Sequence, residues 1–104
     1  PEVPKASAVF DVLKVNASSV KIQCNGKTVP KVNTLSDPPR VVLDLPDVYI
    51  MAETKVISLN HGPFQQARLG FHPESRFTRV VLDLERNMKI DVKVIQDYII
   101  INAD

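Results

Sequence analysis

Cysteine and glycine are scarce in this sequence. Cys24 is the only cysteine, and three glycines are scattered through 104 residues. One thiol permits no intramolecular disulfide, and a zinc site would have to combine it with two distant histidines, so we expect a free core thiol, no metal and no cofactor. The glycines form no phosphate-cradling loop. These absences argue against a disulfide-stabilised, zinc-dependent or nucleotide-binding protein.

The sequence also lacks a charge excess and a long apolar run. It carries 13 Lys and Arg against 12 Asp and Glu, a formal net charge of +1, and both signs are spread evenly. No basic stripe suited to many phosphates is present, so we expect no nucleic-acid partner. No apolar run approaches the roughly 18 residues of a membrane span, so none is expected in this segment.

The chain begins with Pro1-Glu2-Val3-Pro4 rather than with an initiating Met and an apolar leader. We therefore interpret it as a mature segment or an excised domain, whose native location no signal peptide reveals. Its 104 residues, 44% hydrophobic and 24% charged, are typical of one globular domain. Residues 1–7 are predicted to be the end of a linker, and residues 8–104 the folded domain.

Short segments in which apolar and polar residues alternate predict strands. Residues 19–24, for example, place two aliphatic side chains and Cys24 on one face. Asn25-Gly26 and Gln96-Asp97 are tight-turn candidates, and residues 47–55 could hold one helical turn. Eight or nine strands with turn signals between them predict an all-β, single-domain β-sandwich of two pseudo-symmetric, mainly antiparallel sheets.

The hexapeptide Arg-Val-Val-Leu-Asp-Leu occurs twice, at residues 40–45 and 79–84. Such an identity in so short a chain indicates two copies of one supersecondary unit, which are too few for a solenoid. We therefore expect two pseudo-symmetric halves of one domain. Because strand side chains alternate, the second, fourth and sixth residues of each copy share one face. All of them are aliphatic, so this face is predicted to face the core.

The other face of each hexapeptide carries an arginine, a valine and an aspartate, which core packing does not require. These outward residues are Arg40, Val42, Asp44, Arg79, Val81 and Asp83. Within one strand the arginine and the aspartate lie roughly 13 Å apart, so they act on neighbouring strands or on a ligand. In a structural interpretation, the arginines pair with carboxylates on adjacent strands and the aspartates cap strand-end turns. In a functional interpretation, the triplets form two equivalent patches, one on each outer sheet face.

An enzymatic role for the two aspartates is not supported. Carboxylates from two pseudo-symmetric halves form the catalytic pair of aspartic proteases. Asp44 and Asp83, however, each lie inside a hydrophobic strand and precede a leucine rather than the loop residues of such enzymes. His61 and His72 lie in turn-like segments and have no nucleophile at a triad-like spacing. We therefore expect no catalytic residue in this chain.

Residues 36–46, which are Ser-Asp-Pro-Pro, the first hexapeptide and a proline, closely resemble the segment of AMIN domains that runs from Pro-Pro-Arg to Asp-Leu-Pro. The second half is similar to the rest of that family's pattern, at residues 56–59, 66–70, 78–84 and 98–101. The resemblance covers about residues 8–102. It departs from the pattern at Asp37, where asparagine is frequent, and at residues 61–65, where an Arg-x-Gly-Gln-like stretch is common.

The resemblance implies a β-sandwich found in bacterial periplasmic proteins, such as N-acetylmuramoyl-L-alanine amidases and type IV pilus secretins. There it is a non-catalytic module that binds peptidoglycan and places the attached protein at the cell wall or septum. Arg68, which follows the departing segment, joins the six outward residues as a candidate for peptidoglycan binding. Arginines would donate to stem-peptide carboxylates or sugar oxygens, aspartates would accept from hydroxyl or amide groups, and valines would pack on apolar parts of the ligand.

A second hypothesis is a protein-interaction module within an envelope secretion or pilus apparatus. An exposed edge strand at residues 98–102 would then pair with a strand of an envelope protein partner. The sequence is compatible with either an amidase or a secretin as the parent protein.

Overall fold

A computed structural model describes residues 9–16, 18–24, 29–46, 54–72, 74, 77–95 and 98–103. The predicted linker at residues 1–7 and the predicted turns at Asn25-Gly26 and Gln96-Asp97 lie outside the described residues, as do residues 47–53 of the possible helical turn. The side chain of Cys24 is also outside the description, so its place in the core stays a prediction.

Nine β-strands account for most of the described residues. They are β1 (Val9–Asn16), β2 (Ser19–Cys24), β3 (Lys31–Ser36), β4 (Pro39–Pro46), β5 (Thr54–His61), β6 (Phe64–His72), β7 (Phe77–Leu84), β8 (Ile90–Ile95) and β9 (Tyr98–Ala103). In this part of the chain, no helix is long and apolar enough to span a membrane.

The strands form two sheets. One sheet has four strands in the order β1-β2-β9-β8, and the other has five in the order β3-β4-β7-β6-β5. Every pair of neighbouring strands is antiparallel. Buried side chains of both sheets meet in one hydrophobic core. The prediction of an all-β sandwich with antiparallel sheets is therefore confirmed.

The core follows the alternation of the strands. The inward residues of the two hexapeptides are buried, as predicted, and they are Val41, Leu43, Leu45, Val80, Leu82 and Leu84. The four-stranded sheet covers them with Val20, Ile22, Ile99, Ile101 and Ala103. Each large aliphatic side chain buried in this way contributes about 1.5–3 kcal/mol, which explains why both copies keep the same inward triplet.

The two hexapeptides lie side by side in β4 and β7, within the five-stranded sheet. Val42 faces Val81 across the ladder, and an approximate two-fold axis between these valines relates the two copies. The repeat therefore relates neighbouring strands and not the two sheets. The expectation of one patch on each outer face is wrong, because both outward triplets lie on the same face. Antiparallel pairing of identical strands places each arginine directly across from the aspartate of the other copy, so that unlike charges face each other.

The strand at residues 98–102 is not an edge. It belongs to β9, which pairs with β2 on one side and with β8 on the other. The hypothesis that this segment recruits a partner strand is therefore wrong. Its apolar character has a structural reason, because Ile99 and Ile101 are buried in the core and Ile100 is half-buried on the outer face.

Strand β3 is an edge of the five-stranded sheet and pairs only with β4 among the described strands. All six of its side chains are exposed. Val32, which faces the same side of the sheet as the buried Leu43, is 39% exposed, so the four-stranded sheet does not extend over this edge.

Candidate functional site

The seven candidate residues lie together on the outer face of the five-stranded sheet, which we call the arginine face. It consists of the outward side chains of β3 to β7. One row across the strands contains Arg40, Asp83 and Gln66, the next contains Val42, Val81 and Arg68, and the third contains Asp44, Arg79 and Gly70. Alternation along β4, β6 and β7 thus brings both hexapeptides and Arg68 onto one continuous surface.

Arg79 and Asp44 form an ion pair across β4 and β7, where they are direct register partners. Arg79 Nε donates to Asp44 Oδ1 at 2.8 Å, and Nη2 donates to Oδ2 at 3.1 Å. This hydrogen bonding raises the pKa of Arg79 above its ordinary value. Both oxygens of Asp44 hold the guanidinium in one plane, and the side chain of Arg79 is still 44% exposed.

Arg68 and Asp83 form the second ion pair, between β6 and β7. Arg68 Nε donates to Asp83 Oδ2 at 2.9 Å and Nη2 donates to Oδ1 at 2.8 Å, while Gln66 Nε2 adds a bond to Oδ2 at 2.8 Å. Partial burial, the largest single effect, raises the pKa of Asp83. The hydrogen bonds and the charges of Arg68 and Arg40 together outweigh it, so the pKa of Asp83 lies below its ordinary value.

Arg40 breaks the two-fold symmetry of the repeat. Its equivalent, Arg79, bonds the aspartate opposite, but Arg40 Nη1 donates to the carbonyl oxygen of Pro38 at 2.7 Å. Its register partner Asp83 instead accepts from Arg68 and Gln66. Within the described part of the chain, Arg40 is therefore the hexapeptide arginine that has no hydrogen bond to a carboxylate.

The structural interpretation of the outward triplets is partly correct. Arg79 pairs with a carboxylate on an adjacent strand, as expected, but Arg40 does not. The expectation that Asp44 and Asp83 cap strand-end turns is wrong, because each accepts two guanidinium bonds. Arginine presents two parallel donors that match a carboxylate, and such a bidentate pair is stronger than a single bond to a turn amide.

Gln66 was not singled out from the sequence, although it has the same strand parity as Arg68. A register irregularity between Phe64 and Gln66 changes the side to which the chain points. Phe64 is consequently buried in the core, whereas Gln66 faces outward and reaches Asp83. Irregularities of this kind insert one extra residue in a strand, and alternation alone does not reveal them.

Aromatic rings extend the arginine face where β6 ends and β7 begins. The rings of His72 and Phe77 stack with their centroids 4.8 Å apart and their planes inclined by 17°. Arg79 Cζ lies 5.4 Å from the centroid of Phe77, close enough for a cation–π contact. The alternation of β6 and β7 places both rings outward, and this was the available signal for them in the sequence.

Two depressions flank Arg79. The first, of about 230 Å³, has Gly70 at its base and is bordered by Val56, Arg68, Leu69, His72, Arg79 and Val81. The second, of about 300 Å³, is lined by Lys31, Asp44, Pro46 and Phe77. The arginine face therefore has two depressions large enough for small groups of a ligand. We call the first of them, at Gly70, the Gly70 depression.

The arginine face carries positive charge. Its described residues include four cations, Lys31, Arg40, Arg68 and Arg79, against the two aspartates, a local excess of two positive charges. Among the described residues, no group of three or more His, Cys, Asp or Glu side chains could hold a metal ion. The arrangement offers fixed donors to an anionic or hydroxylated ligand, with both oxygens of each aspartate already engaged.

The outer face of the four-stranded sheet, which we call the lysine face, is built differently. Lys21 Nζ lies 4.3 Å from the ring centroid of Tyr98, and Lys93 Nζ lies 4.0 Å from Asp91 Oδ2. Ser19 donates a hydrogen bond to Asn102. The strands β2, β8 and β9 contain no arginine.

Comparison with known families gives one match over nearly the whole chain. The model of the AMIN domain matches residues 10–102, a range that includes both hexapeptides and Arg68. No curated protein sequence matches the chain.

Proposed function

The chain belongs to the AMIN domain family, and on this premise we propose that it is a peptidoglycan-binding module that localises an attached envelope protein to the cell wall or septum. AMIN domains are non-catalytic targeting modules of amidases and secretins, and they occur in periplasmic and envelope proteins. The arginine face is the proposed binding surface, and the periplasm is the proposed location. The predicted division into a linker at residues 1–7 and a domain at residues 8–104 is part of the same proposal.

The observation that carries the proposal is the row of guanidinium groups held on one face. Arg68 and Arg79 each bond an aspartate through Nε and Nη2. A guanidinium has five N–H donors, so the Nη1 donors of both side chains can still point to a ligand. Because the aspartates already fix these side chains, binding costs little additional side-chain entropy. Peptidoglycan supplies suitable acceptors in its stem-peptide carboxylates and sugar oxygens.

Arg40 is the proposed primary contact for a carboxylate. It has no competing carboxylate bond among the described residues, and a bidentate pair with a ligand carboxylate would engage two of its four remaining N–H donors. Asp44 and Asp83 then act by orienting arginines, in place of the ligand-accepting role expected from the sequence. Val42 and Val81 lie half-buried between the two ion pairs and would contact apolar parts of the ligand.

Affinity per domain should be weak, because the face is open and the ion pairs are exposed. A polymer offers many equivalent sites, so several domains in one assembly would bind with much higher avidity than one alone. All of the candidate residues lie on one face, so avidity is expected from several copies and not from the two faces of one domain.

The test is co-sedimentation of the domain with purified, protein-free peptidoglycan sacculi at low salt. The native chain should pellet, Arg40→Glu should bind at least about tenfold more weakly, and an Arg40→Glu, Arg79→Glu variant should stay in the supernatant, because like charges repel the ligand carboxylates. The matched control is Lys21→Glu, Lys93→Glu on the lysine face, which changes the net charge equally and should pellet as the native chain does. Circular dichroism checks folding of every variant.

Two results would contradict the proposal. The first is native chain that stays in the supernatant at low salt. The second is a folded control variant that loses binding as strongly as the arginine variant, because net charge and not the arginine face would then explain the pelleting.

A second candidate function is recruitment of an envelope protein through an edge strand. The edge strand that favours it is β3, whose side chains are all exposed and include Val32 and Leu35. Exposed edges with apolar side chains can add a strand from another protein. In this case a Val32→Lys variant, altered on the side of β3 that points away from the arginine face, should lose its position at the septum in cells while it pellets with sacculi normally. Unchanged localisation of that variant would contradict this function.

A further inference from the structure

Gly70 is a glycine for which neither backbone conformation nor packing gives a reason. Its φ is not positive, unlike those of Asn60 near the end of β5 and Gly62 in the turn that follows. Apart from its two chain neighbours, no atom of the described residues would lie within 4 Å of a Cβ atom placed on Gly70. Glycine inside a strand weakens the strand, and it often marks a place where a ligand approaches the backbone closely.

The missing side chain leaves a gap in an otherwise filled surface. Gly70 lies directly opposite Arg79 and two residues from Arg68 and His72, so its neighbours on β6 and β7 are large. Val56 and Val81 form apolar walls, and the guanidinium groups of Arg68 and Arg79 lie at the border. The Gly70 depression therefore has an apolar base and N–H donors at its border.

We infer that the Gly70 depression is a subsite for a methyl group next to an amide, with the methyl group on Gly70 and the amide oxygen facing the guanidinium donors. This inference rests on the proposed function. In peptidoglycan, two sources share this chemistry, the acetamido group of the sugars and the alanine of the stem peptide. Both combine one methyl group with an adjacent carbonyl oxygen, which matches the apolar base and the donor-rich border.

The size and the composition of the depression support a small group. A volume of about 230 Å³ that is open to solvent accommodates a methyl group and its amide. Both oxygens of Asp44 and Asp83 are engaged by arginines, so the donors at the border exceed the free acceptors. A ligand group that only accepts hydrogen bonds is therefore favoured over a donor such as an ammonium group.

The test fills the depression without disturbing the fold. Gly70→Ala and Gly70→Val add side chains into open space, so both should fold and melt at the native temperature or above it. We expect Gly70→Ala to pellet with sacculi at least about fivefold more weakly, and Gly70→Val more weakly still. The matched control is Thr34→Ile, which adds bulk at an exposed position of β3 on the side of the sheet opposite to the arginine face and should bind as the native chain does.

The outcomes separate this inference from the proposed function. If the native chain pellets and both folded Gly70 variants pellet equally well, the subsite is wrong and the wall-binding function stands. If the native chain itself fails to pellet, both are wrong. Reduced binding of a variant that is at least as stable as the native chain supports the subsite, because a merely structural role of Gly70 would not give that combination.

Nuclear magnetic resonance titration then identifies the source of the methyl group. The probes are peptide-free N-acetylated glycan chains, the same chains after chemical de-N-acetylation, and alanine-containing stem peptide. A shift of the Gly70 amide with the acetylated chains alone assigns the acetamido group, and a shift with the stem peptide assigns alanine. If none of the three probes moves the Gly70 amide signal, the subsite is overturned.

Discussion

The two outer faces of the sandwich arise from the same alternation of strands, yet they hold charge in different ways. On the arginine face, Arg68 is fixed by two bonds to Asp83, whose side chain is only 14% exposed. On the lysine face, Lys93 and Asp91 are 64% and 59% exposed and their charged atoms are 4.0 Å apart. A pair of the second kind contributes between about 0 and 1 kcal/mol to stability, because solvent screens it.

The two faces therefore differ in how firmly their charged groups are oriented and not only in how many they carry. Bidentate pairing orients guanidinium groups before a ligand arrives, whereas an exposed lysine must lose its freedom during binding. The arginine face therefore has the more strongly preorganised charged groups of the two surfaces. Each of the following substitutions changes one of these faces, beginning with the largest expected effect.

Arg68→Ala should destabilise the fold more than Lys93→Ala does. Loss of Arg68 removes two charge-assisted bonds from the partly buried Asp83, at a cost of about 1–2 kcal/mol. Lys93→Ala should cost no more than about 0.5 kcal/mol. Unfolding in urea gives both values, and equal losses would show that the two faces do not differ in the way described.

The acid stability of the protein should depend on Asp83. Its pKa in the folded state lies below its ordinary value of about 3.9, so its contribution to the unfolding free energy is complete above that pH. The contribution is lost as the pH falls through the ordinary value and then through the lower, folded value. Asp83→Asn should therefore flatten the decline in unfolding free energy below about pH 4, as measured by urea unfolding from pH 7 to pH 2.

Gln66→Ala provides a graded comparison for the acid experiment. It removes one of the hydrogen bonds that lower the pKa of Asp83 and leaves Arg68 in place. The decline at low pH should therefore flatten less than in Asp83→Asn. A decline of native steepness in Asp83→Asn would contradict the assignment of this acid sensitivity to Asp83.

Lys21→Ala should have the smallest effect. It removes the contact of Lys21 with the Tyr98 ring, which contributes about 0.5 kcal/mol at this partly exposed site. Thermal unfolding should detect this loss, while pelleting with sacculi should not change. Weaker pelleting of the folded variant would show that the lysine face takes part in binding.

The alternation of apolar and polar residues and the turn signals were sufficient to predict much of the fold. Alternation identified Val41, Leu43 and Leu45 as core residues, and the breaker at residues 36–39 coincides with the turn between β3 and β4. Pairing of distant strands was not predictable in this way. Nothing in residues 98–102 alone specifies that β2 and β8 flank them, because neighbours in a sheet are selected by packing of the whole chain.

The composition of the candidate site was predictable, but its partners were not. The outward positions of Arg40, Asp44, Arg79 and Asp83 followed from strand parity. Asp83 pairs with Arg68 and not with Arg40. This pairing requires β6 to lie beside β7, and it requires the long Arg68 side chain to reach diagonally to Asp83. Gly70 carried no chemical signal in the sequence, because its role as a gap exists only where large side chains surround it.

The approximate two-fold axis between Val42 and Val81 affects how a polymer would be oriented on the arginine face. A perfectly symmetric face would accept a polymer equally in either of two opposite directions. The flanking strands remove this equivalence, because Arg68 of β6 lies beside Val81 and Asn33 of β3 lies beside Val42. A glycan strand has two chemically different ends, so under the proposed function its two directions on this face are expected to differ in binding energy. A protein tethered to the domain would then be held on each glycan strand in one preferred orientation.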